Sequence, residues 1–231
     1  MQYFGGKAKI AKYIVPYLES VRKENQLYLE PFMGGCNIVS KMAGKREAYD
    51  FNQYLVEMYK GVQSGYELPD VLNEERYKYI KENKDEDKVL TGFVGFGCSF
   101  AGKWFGGYAR NKQNNNYCKA SKNSLLRKME TMKDVKFGFA DYKTLNPKGC
   151  LIYCDPPYAN TTKYTGVPSF DSGEFWNMMR KWSRDNDVFI SEYEAPEDFV
   201  SVLDIPTKTS IRDKDCNVCS RVEKLFTYKT K

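Results

Sequence analysis

Apolar positions along this chain fall into two alternating patterns. Short runs suited to strands are LYLE (27–30), REAYD (46–50), VKFGFAD (135–141), CLIYC (150–154), DVFISEY (187–193) and RVEKLFTYK (221–229). Helical spacing marks a stretch from Lys9 towards Arg22, bent or interrupted at Pro16, and a turn into a helix after PFMGG. It also marks NQYLVEMYKGV (52–62), with Leu55, Val56 and Tyr59 on one face and a stop near Gly61. Further helices are predicted between Leu68 and Asn83, over SLLRKMETM (124–132) and over EFWNMMRKW (174–182). From Gly92 to about Asn123 neither period holds. That stretch, rich in glycine, aromatics and asparagine, reads as an irregular insertion.

Strands alternating with helices predict an α/β sheet. In such sheets ligands bind beyond the carboxyl ends of the strands. Glu30, Asp50, Asp141 and Asp155 each lie at or just after a predicted strand end. One carboxylate there would pass for a helix cap or a turn residue. Four on one edge predict a site.

Composition narrows the chemistry. With 231 residues, 42% hydrophobic and 29% charged, the chain is sized for one soluble domain carrying an insertion. No apolar run approaches a membrane span, and lysines at 7, 9 and 12 interrupt the N-terminus, so a cytoplasmic location is expected. There is no histidine, which excludes Ser-His-Asp arrangements and histidine metal sites. Seven scattered cysteines predict reduced thiols. Cys216 and Cys219 form a lone C-x-x-C, short of a zinc set, so no metal is expected.

The charge is uneven. Between residues 101 and 137 nine basic residues face two acids, a surplus that alone exceeds the net +6 of the whole chain. Clustered positive charge is the footprint of a polyanion partner. Phe100, Trp104, Phe105 and Tyr108 are interleaved with Lys103 and Arg110 in the same segment. The expectation is duplex DNA contact by Lys103, Trp104, Tyr108, Arg110, Lys112, Lys119 and Lys122, with Arg212 adding a backbone contact alongside Lys214 from the loop joining the last two strands. Burial of the aromatics beneath the loop is the competing explanation.

The most specific stretch is IYCDPPYAN (152–160), an apolar run ending in an acid, two prolines and a tyrosine. Prolines lack the N–H that a sheet ladder needs, so this strand end serves another purpose. Here the sequence resembles the Dam-type, or D12 class, DNA N6-adenine methyltransferases, which use S-adenosylmethionine and a D-P-P-Y motif. YFGGK (3–7) resembles their opening cofactor motif, EPFMGG (30–35) their Gly-rich motif and YDFN (49–52) their ribose-binding acid. FGFADY (137–142) is similar to the segment holding the cofactor adenine, and ISEY (190–193) with VEKLF (222–226) to the closing strands. Cys36 departs from the pattern, where the family usually has a third small residue.

The resemblance implies a Rossmann-like methyltransferase sheet with helices on both faces. It assigns 1–67 and 135–231 to the catalytic domain and 68–134 to an inserted target-recognition region. It also implies that Tyr3, Lys7, Glu30, Phe32, Gly34, Asp50, Asp141, Tyr142 and Asp155 bind S-adenosylmethionine or shape its pocket. Catalysis would fall to Asp155, Pro156, Pro157 and Tyr158. The adenine N6 lone pair is delocalised into the ring. Acceptors on each N–H, namely the Asp155 carboxylate and the Pro156 carbonyl, would direct it at the methyl group, with the prolines fixing the backbone. Tyr158 would stack on a base flipped out of the duplex.

The expected partner is double-stranded DNA, and the expected state a monomer or weak dimer. The setting would be a bacterial or phage-infected cell, with the enzyme solitary or half of a restriction-modification pair. Rival readings are an amino methyltransferase acting on RNA or on cytosine N4, and a catalytically silent DNA-binding relative. The intact D-P-P-Y speaks against silence, and its aspartate against cytosine N4, where relatives more often begin with serine.

Overall fold

A computed structural model describes residues 1–113, 115–157, 170–212 and 218–229, with 208–212 and 218–221 described in backbone alone. Its sheet has seven strands: β1 (Tyr28–Glu30), β2 (Arg46–Asp50), β3 (Lys136–Phe139), β4 (Leu151–Cys154), β5 (Asp187–Glu192), β6 (Phe199–Arg212) and β7 (Val218–Tyr228). They lie in the order β3-β2-β1-β4-β5-β7-β6. The first five run parallel, and β7 is antiparallel to both β5 and β6. This is the expected Rossmann-like sheet, and the order reverses between β1 and β4, where such folds hold their ligands.

Side-chain alternation along the strands makes two cores. Tyr28, Leu151, Tyr153 and Phe189 face one side, where α1 (Ala11–Val21), α2 (Gln53–Gln63), α4 (Lys88–Gly97) and α5 (Tyr117–Met129) bury Ile14, Leu18, Leu55, Phe93 and Leu125. Leu29, Ile152, Cys154, Val188 and Ile190 face the other, against Phe175, Trp176, Met179 and Trp182 of α6 (Ser172–Trp182). Helices therefore cover both faces, as a parallel sheet requires. No helix among the described residues is long and apolar enough to cross a membrane.

Several elements differ from the sequence reading. The Gly-rich turn leads to a single 3-10 turn, Val39–Lys41, and no α-helix. Arg46 helps hold that turn, its guanidinium donating to the Val39 and Met42 carbonyls at 3.1 and 2.9 Å. The helix expected between 68 and 83 is shorter, α3 (Glu74–Glu82), beginning where the Asn73 side chain accepts from Arg76 N at 2.8 Å. Strand β6 was missed because Asp204 and Pro206 break its pattern, yet at the end of the sheet a residue without an N–H is tolerated. Arg212 is the last residue of β6, not a loop residue; its side chain, like all of Lys214, lies outside what is described.

The stretch from Gly92 was misread most. Residues 88–97 are helical, capped by Asp87, whose carboxylate accepts from Leu90 N at 2.9 Å. The glycines are there for packing: a Cβ on Gly92 would sit 2.1 Å from the Tyr54 carbonyl oxygen of α2, and one on Gly95 2.2 Å from the Trp104 ring. Helix α5 likewise starts earlier than predicted, because Asn116 accepts from Lys119 N at 2.9 Å and caps it.

Candidate active site

Parallel strands put their carboxyl ends on one edge, so the acids closing them form a row. Asp141 follows β3, Asp50 ends β2, Glu30 ends β1, Asp155 follows β4 and Glu192 ends β5. Neighbouring strands are about 4.8 Å apart, and the acids are staggered along them, Glu30 lying level with Ala48, two residues short of Asp50. Glu223 of β7 completes the row, because Glu192 pairs with Lys224, one residue away. The four acids expected from strand ends are on this edge. Glu192 and Glu223 were not foreseen. Glu192 obeys the same strand-end rule, and Glu223 was visible as a charge on the face that buries Leu225.

Lys7 joins two members of this group. Its ammonium lies 2.9 Å from Asp155 Oδ1 and 3.4 Å from Glu223 Oε1. Burial works against the Lys7 charge, but Asp155 and Glu223 outweigh it and raise its pKa above the usual lysine value. Burial pushes Glu192 up to about 7, against the hydrogen bond from Tyr193 N and with Glu223 adding to the rise. Burial also takes Glu30 to about 8, although the Tyr28 hydroxyl and Val39 N–H donate to its Oε2 at 2.9 and 2.8 Å. Burial thus favours its neutral form, and Glu30 fastens the turn to β1.

The Gly-rich loop approaches the N-terminal segment closely. Gly34 has a φ of +42°, and a Cβ there would lie 2.9 Å from Tyr3 Cε1. Gly34 N–H donates to Asp50 Oδ2 at 3.0 Å and Asn52 N–H to Asp50 Oδ1 at 2.9 Å. Burial nonetheless raises the Asp50 pKa. Cys36, the departure from the family pattern, is fully buried with φ +51°, and its N–H reaches the Met33 carbonyl at 2.7 Å. The turn stays tight with cysteine in it.

Phe32 and Tyr142 meet at 5.1 Å between ring centroids, backed by Phe175. Asp141 accepts from Lys143 N at 3.0 Å and so also caps a short 3-10 turn. Tyr3, Lys7, Glu30, Gly34, Asp50 and Asp155 are thus brought to one region, with Phe32, Tyr142 and Asp141 towards the β3 side. Pro156 is buried and Pro157 half-buried after β4. Tyr158 lies outside the described residues, as do Cys216 and the side chain of Cys219. Among the described residues no group of three metal-ligating side chains occurs.

The insertion presents most of its basic residues outward, Lys128 excepted. Lys103, Arg110, Lys112 and Lys119 are exposed, while Lys122 pairs with Asp70 at 2.8 Å and Arg110 with Glu74 at 2.8 Å. Its aromatics turn inward. Trp104 stacks on Tyr54 at 5.5 Å and meets Phe96 at 4.8 Å, and the Tyr108 hydroxyl donates to the Leu72 carbonyl at 2.6 Å. Burial beneath the loop accounts for these rings, while Phe100 and Tyr79 of the insert stay exposed.

Residues 3–91 match the model of the D12 class N6 adenine-specific DNA methyltransferase family. No curated protein matches the chain. Among solved structures, the rRNA methyltransferase AviRa of Streptomyces viridochromogenes is similar at 10% identity, covering 98% of this chain and 86% of that one, with a TM-score of 0.44. A candidate RNA methyltransferase of Pyrococcus horikoshii is similar at 12% identity, with coverage of 98% and 85% and a TM-score of 0.42. A candidate methyltransferase of Escherichia coli is similar at 8% identity, with coverage of 100% and 99% and a TM-score of 0.42.

Proposed function

We propose, from a chain whose residues 3–91 carry the D12 family match, that this methyltransferase moves a methyl group from S-adenosylmethionine to the N6 of adenine in duplex DNA. The observation that carries the reading is the strand end at β4, where Asp155 is followed by two prolines and paired with Lys7 of the N-terminal motif. Two motifs separated by about 150 residues, each of which the family resemblance singles out, converge on one carboxylate.

The chain's own residues then have distinct tasks. The Gly34 turn lets the backbone approach the cofactor, and Asp50, ending the next strand, accepts from its ribose hydroxyls. Phe32, Asp141 and Tyr142 enclose the adenine end, with Tyr3 closing over the loop. Lys7 orients Asp155. Asp155 and the Pro156 carbonyl accept the two N6 hydrogens and turn the lone pair towards the methyl group. Tyr158 stacks on the flipped base. Stacking on the order of 1–3 kcal/mol offsets much of the few kcal/mol lost on unstacking.

In this reading 1–67 and 135–231 form the catalytic domain and 68–134 the target-recognition insert. Exposed Lys103, Lys112 and Lys119, with Lys122, meet the phosphates, Arg110 or an asparagine of the insert reads base edges, and Arg212 adds a backbone contact from the end of β6. The rings of Trp104 and Tyr108 shape the insert and do not read bases directly. The chain acts as a monomer or weak dimer in the cytoplasm of a bacterial or phage-infected cell.

The test is transfer of labelled methyl groups by the purified protein to duplex DNA, single-stranded DNA and RNA. Label on duplex DNA, recovered as N6-methyladenine, is expected. Label on RNA alone would move the reading to an RNA enzyme, and label on nothing to a silent binder.

A further inference from the structure

Helix α5 carries Lys119 and Lys122 at its start and Lys128 near its end. Nine residues of helix put Lys119 and Lys128 about 14 Å apart along one rigid rod. Lys128 is the surprising one. Its ammonium leaves the insert and donates to the carbonyl of Gly35 and, at 2.8 Å, to Asn37 Oδ1. Both acceptors belong to the Gly-rich turn that the proposed function gives to the cofactor.

The environment is not that of an ordinary ion pair. Neither acceptor is a carboxylate, and the nearby acid, Glu30, is itself pushed towards its neutral form. Burial lowers the Lys128 pKa, so the charge is held there at a cost and is aimed at backbone dipoles. The turn it grips is an unusual piece of backbone, with Gly34 and Cys36 both in the left-handed region. Its other ties are to the catalytic body: Gly34 N–H to Asp50 at 3.0 Å, and the Tyr59 hydroxyl to the Gly34 carbonyl at 3.3 Å. Among the described residues Lys128 is the insert's hydrogen-bonded tie to this turn, beside Tyr3, whose ring meets Phe96 of α4 at 4.9 Å and lies against Gly34 and Gly35. Helix α5 is also fastened to α4, where Ser121 Oγ donates to the Gly97 carbonyl at 2.6 Å. A shift of α4 and α5 on the polyanion therefore reaches the Gly35 carbonyl directly through the Lys128 side chain.

We infer that Lys128 is a positioning residue that couples duplex DNA binding on the insert to the shape of the cofactor turn, so that each ligand tightens the binding of the other. The inference rests on the proposed function, since it needs both ligands. Linkage requires the effect to be reciprocal. A lysine that merely stabilised the fold would alter both affinities without altering their ratio.

The test measures duplex affinity by fluorescence anisotropy with and without saturating S-adenosylhomocysteine, whose own binding is followed by calorimetry. The wild-type chain should bind duplex about five-fold tighter or more with the cofactor product present. Lys128→Met should bring that ratio towards unity, and Lys128→Arg, which keeps a charged donor, should retain it. A ratio unchanged in Lys128→Met, or near unity in the wild type, overturns the inference while leaving the function intact. A wild-type chain that binds only one of the two ligands overturns both. Should Lys128→Met fail to fold, amide exchange in the wild-type chain decides: duplex should slow exchange at residues 34–39, and unchanged exchange there overturns the coupling.

Discussion

Lys7 Nζ lies 2.9 Å from Asp155 Oδ1, across about 150 residues of sequence. The pair sits at the carboxyl edge between β4 and β7, with Glu223 at 3.4 Å on its far side. Removing the ammonium leaves two partly buried carboxylates facing each other. Lys7→Met should cost about 3 kcal/mol of stability, measured by urea unfolding, and should abolish turnover. Lys7→Arg should restore stability more than activity. A Lys7→Met chain that turns over normally would remove the pair from the chemistry.

Glu30 should give a measurable pH dependence of stability. Its folded pKa, about 8, lies above the usual carboxylate value of 4.5 because it is buried. The folded state therefore holds this proton more tightly than the unfolded chain does, and its stabilisation is lost as pH rises between those two values. Glu30→Gln keeps an acceptor for Tyr28 and Val39 and cannot ionise. Melting temperatures from pH 5 to 9 should fall more steeply for the wild type than for Glu30→Gln, and parallel curves would place the ionised form in the fold.

The turn offers a separate test. A side chain at Gly34 meets a φ of +42° and the ring of Tyr3 at 2.9 Å. Strain of this kind is about 1–3 kcal/mol. Gly34→Ala should raise the KM for S-adenosylmethionine about ten-fold, with a much smaller change in duplex affinity. An effect on duplex affinity alone would contradict the cofactor assignment of this turn.

Phosphate contacts are read from salt dependence. Lys119 is exposed, whereas Lys122 first has to leave Asp70, 2.8 Å away. Lys119→Gln should lower the slope of log affinity against log salt by about 1, whatever the sequence of the duplex. Lys122→Gln should lower it by less, since that lysine already has a partner. Slopes unchanged by both substitutions would turn this face of α5 away from DNA.

Much of the frame was legible because parallel strands announce themselves. Arg46–Asp50 was bounded as found, and the acids at the strand ends fell into line once the strands ran parallel. What was missed has a physical cause in each case. Gly92 and Gly95 look like helix breakers but are the only residues small enough to let α4 lie against Tyr54 and Trp104. Asn116 looked like part of a polar run and is a helix cap. Pro206 hid β6, which tolerates it as an edge strand. Trp104 and Tyr108 looked like contacts for a partner, since sequence does not tell a ring packed under a loop from one on its surface. The link from Lys128 to Gly35 spans 93 positions and leaves no local pattern.

The most direct measurement is exposure of mixed genomic DNA and total cellular RNA to the purified protein with S-adenosylmethionine, followed by sequencing that detects modified bases. The account predicts N6-methyladenine confined to one short duplex motif, with RNA unmodified. Methylation of RNA without DNA, or of cytosine in place of adenine, would contradict it.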